Sequence, residues 1–513
     1  MAIFVSRSIS AGALGLCAAL VGMSGGCTLG PDFLRPESPK AETYLPDAQG
    51  DFVAAGIPGG TAQSVVRGLD IPSRWWGVFQ SPQLNRLIEQ ALVANPDIQV
   101  AAASLKAARE NARAQRAGLF PTLQAGLGAS QNQVPGSLSS PTADQSSNFS
   151  LFTAGLTVTY ALDLWGGTRR QIESLDALAE AQCFQLEGAY LSLAANVVAA
   201  AIQEASLRAQ VDAAQRIIAA QRETLGILQR QTGLGAIPGG DVATQQAALA
   251  QVEATLPPLQ KALALQRNLL ATLTGRFPSD APNERFELDE LTLPHELPLS
   301  LPAKLVEQRP DVRAAEANLH SATALVGVAR ANQFPQLTLN AGINTQALSS
   351  GMLFGHGLTG SVVGVSLLQT ILDGGALAAK KRAAQAGLEQ ADAQYRSTVL
   401  TAFRGVADAL RALEYDALAL KATVDAERAA ATSLAIARRR LDLGDTTYVT
   451  VLNAELLFRQ ATLARVQAQA SRLTDTAALF QALGGGWWNR ETAETEADKT
   501  KRLRCLPPPP PKQ

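Results

Sequence analysis

The chain has 513 residues, and its 44 Lys and Arg side chains balance 45 Asp and Glu side chains. A chain with so little net charge lacks the basic surface that attracts nucleic acid, so that class of function is excluded. Only 17% of the residues are charged and 5% are aromatic, a composition that suits long, closely packed helices.

The first 26 residues are predicted to be an export signal. Arg7 supplies a weak positive charge, and the apolar run from Ala11 to Met23 is too short to cross a membrane. The small residues 24–26 precede Cys27, a pattern typical of lipoprotein processing. We therefore expect Cys27 to be lipidated; a cleaved signal without lipid is the alternative. No other apolar run is long enough to span a membrane as a helix.

Two further cysteines remain after such processing. Cys183 and Cys505 belong to no CxxC motif, and we expect neither to be structural. Cys183 is predicted to be a small apolar side chain within a helix.

The rest of the chain is internally duplicated. An extended segment, 27–80, precedes a first repeat, 81–275, and a Pro-rich linker, 276–301, leads to a second repeat, 302–486. Residues 487–513 are predicted to be a disordered tail. The period far exceeds that of ordinary solenoid repeats. Four landmarks recur in order after 209–214 residues: Pro121 and Pro335, Asp163 and Asp373, Gly235 and Gly444, Gly275 and Gly484.

Each repeat begins with a helical stretch, 82–118 or about 302–332, and continues with two runs of alternating apolar and polar residues. Such alternation over about ten residues is typical of strands in a membrane β-barrel. The apolar faces are predicted to hold Leu123, Ala125, Leu127 and Ala129; Leu156, Val158, Tyr160 and Leu162; Leu337, Leu339, Ala341 and Ile343; and Val363, Val365 and Leu367.

Four strands cannot close a barrel. In hydrocarbon, an open sheet edge leaves backbone groups unpaired at a cost of several kcal/mol each, and single-chain barrels begin at about eight strands. The chain must therefore either contribute strands to a barrel that it shares with other copies or not be a membrane protein, and three copies would give twelve strands. Two hairpins in a small water-exposed sheet are the alternative.

A very long helix follows the strands in each repeat and turns back at a glycine-containing tip. The first, about 168–232, spans roughly 100 Å at 1.5 Å per residue, and apolar spacing of 3.5 residues indicates coiled-coil packing. Asp241 and Asp445 or Thr446 are predicted to cap the returning helices, about 242–274 and 447–483. The predicted buried seam of the first long helix contains Tyr190, Leu193, Val197, Ala200, Glu204, Leu207, Val211, Ala214, Ile218, Gln221, Leu225 and Leu228.

The sequence offers little support for catalysis. Its three histidines, at 295, 320 and 356, have no spacing typical of a metal site. We therefore expect no enzyme activity, no cofactor and no metal. The adjacent Trp75 and Trp76 are predicted to pack against the helices rather than bind a ligand.

Several motifs resemble the outer membrane factor family of TolC and OprM, and most of all its lipoprotein subgroup. The resemblance covers about residues 27–488. It is carried by the run from Trp75 to Asp97, Cys27-Thr-Leu-Gly-Pro-Asp-Phe, Leu162-Asp-Leu-Trp-Gly-Gly, Gln308-Arg-Pro-Asp and Ala482-Leu-Gly-Gly-Gly-Trp.

This resemblance implies a homotrimer with a twelve-stranded outer membrane barrel that continues into a long periplasmic α-helical barrel. It also implies a passive exit duct whose periplasmic tips meet an adaptor protein and, through it, an inner-membrane efflux pump of the RND type. The expected cargo is small toxic molecules such as drugs.

The resemblance also suggests where the duct narrows. The tip positions that are acidic in the family are Thr450 and Asn453 here, so a polar, uncharged constriction is expected. Val449 lies within the same helical turn, and Asp241 and Asp445 keep carboxylates nearby. These five residues form the predicted periplasmic aperture, and helix capping is the alternative role for the two aspartates.

Two other functions remain open. One is a duct for secreted polypeptides, and the other is a coiled-coil surface lipoprotein without a pore. The lipoprotein-like start and the Trp-Trp segment favour small-molecule efflux.

Overall fold

The structure is a computed structural model that describes residues 28–46, 52–53, 55–57, 59–134, 147–355 and 357–490. The predicted signal peptide, the lipidation site Cys27 and His356 lie outside the described residues, as does most of the predicted disordered tail. The domain boundaries given above stay predictions.

The chain forms two compact units, and both repeats contribute to each of them. The strand unit comprises Met1–Arg35, Lys106–Glu180 and Glu316–Gln394. The helix unit comprises Pro36–Leu105, Ala181–Ala315 and Tyr395–Gln513. The two copies of the duplicated sequence are therefore interleaved within each unit rather than forming separate domains.

The strand unit contains one four-stranded antiparallel sheet. From one edge to the other its strands are β2 (Thr122–Val134), β3 (Ser147–Leu162), β5 (Gln336–Ala347) and β6 (Thr359–Leu368). Among the described residues, β2 and β6 are each paired on one side only. The sheet therefore ends in two open edges.

The two faces of this sheet differ in polarity, as predicted. One row across the strands contains Leu123, Val158, Ala341 and Val363, and the adjacent row contains Thr122, Thr159, Asn340 and Gly364. Leu127 and Val363 are 83% and 86% exposed. An apolar face this exposed is suited to contact with lipid rather than water.

The four helices after the strands have the same lengths in the two repeats. Helix α3 (Gly167–Gly233) and helix α7 (Ala376–Asp442) each have 67 residues, and α4 (Gly239–Leu273) and α8 (Tyr448–Ala482) each have 35. The predicted seam of α3 is confirmed, because ten of its twelve residues are buried and the other two, Tyr190 and Leu225, are partly exposed. Burial of this seam holds α3 to its neighbours.

Helix α3 also has the most membrane-like composition of the described helices. One 18-residue window has a mean hydropathy of 1.2, and 56% of it is buried. Because the buried core helix of a water-soluble protein can be equally apolar, this window is weak support for a transmembrane helix.

Each of the two predicted flanking helices is divided by a proline. Residues 82–118 form α1 (Pro82–Ala94) and α2 (Pro96–Arg116), and the second stretch forms α5 (Pro302–Gln308) and α6 (Pro310–Ala331). Each predicted helical stretch is therefore two helices, and the second of them begins at the proline. A residue before proline is disfavoured in the helical region, and Asn95 and Arg309 adopt extended ψ angles of 127° and 123°.

These two residues before proline make the same contact in both repeats. Asn95 Nδ2 donates to the carbonyl of Leu273 at 2.9 Å, and Arg309 Nη1 donates to the carbonyl of Ala482 at 2.9 Å. Each bond satisfies a carbonyl at the C-terminus of the helix that closes the repeat. The duplicated motifs Asn-Pro-Asp and Arg-Pro-Asp therefore each tie the start of a repeat to the end of its last helix, and we call each of these two contacts a joint.

A glycine completes each joint. Gly275 has φ 73° and Gly484 has φ 96°, which side chains rarely adopt. A Cβ atom would lie 2.6 Å from the carbonyl oxygen of Ala94 in the first joint and 2.7 Å from that of Gln308 in the second. Only glycine allows the backbones to approach this closely.

The Pro-rich segments contain a small sheet that the sequence did not reveal. Strand β1 (Ser64–Arg67) pairs in parallel with β4 (Glu296–Leu299). These residues are extended, as predicted, and the structure adds that they pair with each other. The predicted packing of Trp75 is confirmed, because it is 1% exposed and its ring stacks on Phe480 at 5.7 Å.

Cys183 is buried in α3, as predicted, but it is disulfide-bonded. The expectation that it has no structural bond was wrong. The other three cysteines lie outside the described residues. The spacing of the cysteines did not indicate a disulfide for Cys183, because no other cysteine lies near it in the sequence.

Candidate aperture at the helix tips

The long helices of the helix unit turn back at two tips with the same backbone geometry. Gly235 and Gly444 have φ angles of 72° and 74°. In both tips the residue after this glycine donates its N–H to a carbonyl five residues earlier, at 2.9 Å. This left-handed glycine closes a helix C-terminus and lets the chain reverse.

The predicted helix caps are not formed. The residue before α4 is Pro238 and the residue before α8 is Thr447, and neither makes a side-chain capping bond. Asp241 instead lies in the first turn of α4, where a negative charge is favoured by the helix dipole. Asp445 accepts a hydrogen bond at 2.8 Å from Nε of Arg440. The second tip thus uses its carboxylate in an ion pair.

The predicted aperture residues of the second repeat share the exposed side of α8. Val449 is 51% exposed, and Thr450 and Asn453 are also exposed. The Thr450 hydroxyl accepts a hydrogen bond at 3.1 Å from Thr446. The opposite side of the helix is buried and contains Tyr448, Val451, Ala454 and Glu455. The first turns of α8 therefore present an uncharged surface in which the polar Thr450 and Asn453 lie beside the apolar Val449.

The buried side of α8 is held to α7 by packing and by an ion pair. Val451 and Ala454 pack against Leu434 of α7. Arg438 Nη2 lies 2.8 Å from Oε1 of Glu455, whose side chain is 6% exposed. Because a buried carboxylate is costly without a partner, this arginine is needed to keep α8 in place.

A hydrogen-bonded chain connects the two tips. Tyr448 Oη donates to Oε1 of Gln245 at 2.6 Å, and Nε2 of Gln245 donates to the carbonyl of Gln221 at 2.9 Å. Gln245 is fully buried. Burial raises the pKa of Tyr448, and the charge of Glu455 raises it further, against an opposing effect of Arg438. The tyrosine therefore remains a neutral donor, and it joins α8 to α3 and α4.

Sequence reasoning missed this connection. Gln221 was placed on the buried seam of α3, but neither Tyr448 nor Gln245 belongs to a repeated landmark. The one available signal was a tyrosine at the start of a helix in a tip otherwise rich in small residues.

The described part of the chain contains no group of His, Cys, Asp and Glu residues arranged to hold a metal ion.

The comparisons with known proteins give the family. A family model described as outer membrane efflux protein matches residues 87–276 and 301–485. The chain belongs to the outer membrane efflux protein family. It is 30% identical over 473 residues to the probable efflux pump outer membrane protein TtgC of Pseudomonas putida, covering 91% of this chain and 94% of TtgC.

Two further relatives agree with this family membership. The pyoverdine export outer membrane protein OpmQ of Pseudomonas putida is 30% identical over 425 residues, which cover 81% of this chain and 88% of OpmQ. The solved outer-membrane channel OprN is 30% identical, with a TM-score of 0.78 over 90% of this chain and all of that chain.

These findings confirm the predicted family, fold class, location and general function. The chain is mainly helical with four membrane strands, and it is an efflux duct of the outer membrane that extends into the periplasm. The roles of the five predicted aperture residues and of Cys27 remain predictions.

Proposed function

We propose that three copies of this chain form a passive exit duct for small toxic molecules, through which an inner-membrane pump of the RND type exports via a periplasmic adaptor. The four-stranded sheet with two open edges carries this proposal. In a membrane each unpaired edge group costs several kcal/mol. Pairing β6 of one copy with β2 of the next satisfies these groups and gives twelve strands.

Small molecules are the favoured cargo because of the proteins that this chain resembles. Its relatives carry names that refer to efflux of toluene and antibiotics and to export of pyoverdine. Each of these is a compound rather than a folded protein. A duct for secreted polypeptides is the second candidate, and it requires the same architecture.

We further propose that the tips form the closed end of the duct. Thr450, Asn453 and Val449 would face the lumen, with Asp241 and Asp445 near the opening. Support comes from the exposed stripe on α8, which carries no charge and includes the polar side chains of Thr450 and Asn453. Such a ring excludes solutes by width and hydrogen bonding, whereas a carboxylate ring would also bind cations.

Cys27 is proposed to carry the lipid anchor. Support comes from the short apolar run and the small residues that precede it. One acyl chain gives only marginal membrane binding, whereas several chains combined with a barrel give a stable anchor.

Deleting the gene separates the two kinds of cargo. We expect greater sensitivity of the cells to drugs and solvents, with secretion of proteins unchanged. Loss of a secreted protein with unchanged drug sensitivity would instead support the polypeptide duct.

Conductance in planar bilayers tests for the pore itself. The purified protein is expected to form ion-conducting channels that are closed most of the time. A stalk without a pore would not conduct even after the tips are loosened by mutation.

A further inference from the structure

Within the strand unit, a short segment after the predicted lipidation site is held against the residues that follow β3. This strap, Thr28–Arg35, has no regular secondary structure. Its Leu29 donates a backbone N–H to the carbonyl of Trp165 at 3.2 Å, and the carbonyl of Leu29 accepts a bond from Nε of Arg170 at 3.4 Å. The chain is therefore fixed within two residues of Cys27.

Three glycines allow the strap to lie this close. A Cβ atom on Gly166 would be 2.9 Å from Cα of Thr28, and one on Gly327 would be 2.6 Å from the carbonyl oxygen of Leu29. In the strap itself, Gly30 has φ 110° and its Cβ would overlap the backbone of Gly327. Backbone-to-backbone contact of this kind is specific, because any side chain would prevent it.

A buried arginine fastens the middle of the strap. Arg170 has a side chain that is 5% exposed, and it donates to Oδ1 of Asp32 at 2.5 Å and to Oε2 of Glu173 at 2.7 Å. The other oxygen of Glu173 lies 2.9 Å from Nε2 of His320, and the ring of Phe33 stacks on this histidine at 4.4 Å. A buried guanidinium depends on such partners, so loss of the strap would leave it poorly satisfied.

The strap starts at the level where the strands end. Trp165 lies three residues after the end of β3, donates from Nε1 to the carbonyl of Pro335 at 2.7 Å and packs on Phe334 at 4.9 Å. Aromatic residues at strand ends mark the membrane interface of an outer membrane barrel. This is also the side from which α3 and α7 begin, and it is therefore the periplasmic side.

We infer that Gly166, Arg170 and Gly327 form a socket that docks the strap, so that acyl chains on Cys27 enter the membrane beside Trp165. This inference rests on the proposed lipidation of Cys27. Docking fixes the position of the segment that carries the lipid. The acyl chains then attach the protein to the periplasmic leaflet at a defined place, in addition to the barrel itself. Socket and strap are both within the strand unit.

The test places a photo-crosslinking amino acid, p-benzoylphenylalanine, at Thr28 in the full-length chain in cells. Illumination is expected to capture the peptide that contains Trp165 and Gly166. In a second chain that also carries Asp32→Ala and Phe33→Ala, capture should fall about tenfold, because a charge-assisted bond and a ring stack are lost. Both changes are on the strap, so Arg170 keeps its bond to Glu173 and the strands keep their pairing.

Two controls make the result specific. Leu34 is 84% exposed, and Leu34→Ala should leave capture unchanged. The amount of assembled channel is measured in each variant, and capture is expressed relative to it. Unchanged capture in the doubly substituted strap, or no capture of the Trp165 peptide in the parent, would overturn the socket.

The mass of the N-terminal peptide separates this inference from the proposed lipidation. An acylated peptide together with strap-dependent capture supports both. A peptide without acyl chains overturns the anchor and the membrane role of the socket, even if the strap is captured. An acylated peptide with capture that does not depend on Asp32 and Phe33 overturns the socket alone.

Discussion

The two repeats have matching joints and different tips. Asn95 and Arg309 make equivalent bonds to the ends of α4 and α8, and α3 and α4 have the same lengths as α7 and α8. At the tips, the second repeat uses the pair of Arg438 and Glu455, whereas the first contributes a buried glutamine, Gln245. The two halves are therefore alike where their helices meet at the joints and differ in the contacts that hold their tips.

The largest expected effect comes from changing the shared joints. Gly275→Ala and Gly484→Ala each force a Cβ against a backbone carbonyl in a left-handed conformation. Each should destabilise the chain by about 2–4 kcal/mol, from backbone strain and steric overlap. Thermal unfolding of the purified channel measures the effect.

The two joints should respond alike if the duplication is structural. Gly233 has open space around its Cβ position. Gly233→Ala is therefore the matched control, and it should change the free energy of unfolding little. A large effect in one joint with none in the other would contradict the equivalence of the repeats.

The next effect concerns the second tip alone. Arg438→Ala leaves the buried carboxylate of Glu455 without its ion-pair partner, which costs about 1–3 kcal/mol, reduced by the partial exposure of the arginine. We expect the closed state to be weakened and the conductance of the channel in planar bilayers to rise. Asp445→Asn breaks an exposed pair with Arg440 and should change conductance little. Equal effects of the two substitutions would contradict the importance of burial.

A smaller effect tests the bond between the repeats. Tyr448→Phe keeps the ring and removes the hydroxyl that donates to Gln245, at a cost of about 1–2 kcal/mol. Conductance should rise less than with Arg438→Ala. In a double-mutant cycle, Gln245→Leu combined with Tyr448→Phe should be less than additive, because both remove the same bond. Full additivity would show that the two residues act independently.

The smallest expected effect is a pH dependence in the helix unit. Burial, followed by the hydrogen bond and charge of Asp475, raises the pKa of Asp416 to about 7, against an opposing effect of Arg472. Because the folded pKa exceeds the unfolded one, this group stabilises the fold at low pH, and its contribution is lost as the pH rises through about 7. The melting temperature should fall between pH 5 and 8, and Asp416→Asn should flatten the profile. An identical pH profile in the variant would rule out this carboxyl as the cause.

The elements with a strong period could be predicted from the sequence. Spacing of 3.5 residues identified the seam from Leu193 to Leu228, and spacing of two identified both faces of the sheet. Such patterns are visible because burial repeats along one element. The spacing of two residues gave four strands, and four strands are too few to close a barrel. Open sheet edges and a barrel shared between copies could therefore also be predicted.

Features made by residues far apart in the sequence could not be predicted. The pairing of β1 with β4 joins short segments more than 200 residues apart that carry no alternation of their own. Capping by Asp241 and Asp445 was expected from local preference, but the turn placed Pro238 and Thr447 at the caps. The exposed stripe of Val449, Thr450 and Asn453 was predictable, whereas the bond from Tyr448 to Gln245 depends on how the two tips meet.

The mass of the native particle tests the central claim most directly. One chain has a mass of 53.8 kDa before processing, and the account predicts a detergent-extracted particle of three chains, measured by native mass spectrometry. Pairing of β6 in one copy with β2 in the next closes the sheet only when several copies assemble, and three copies give the twelve strands of the proposed barrel. A stable particle containing a single chain would leave both sheet edges open and would contradict the account.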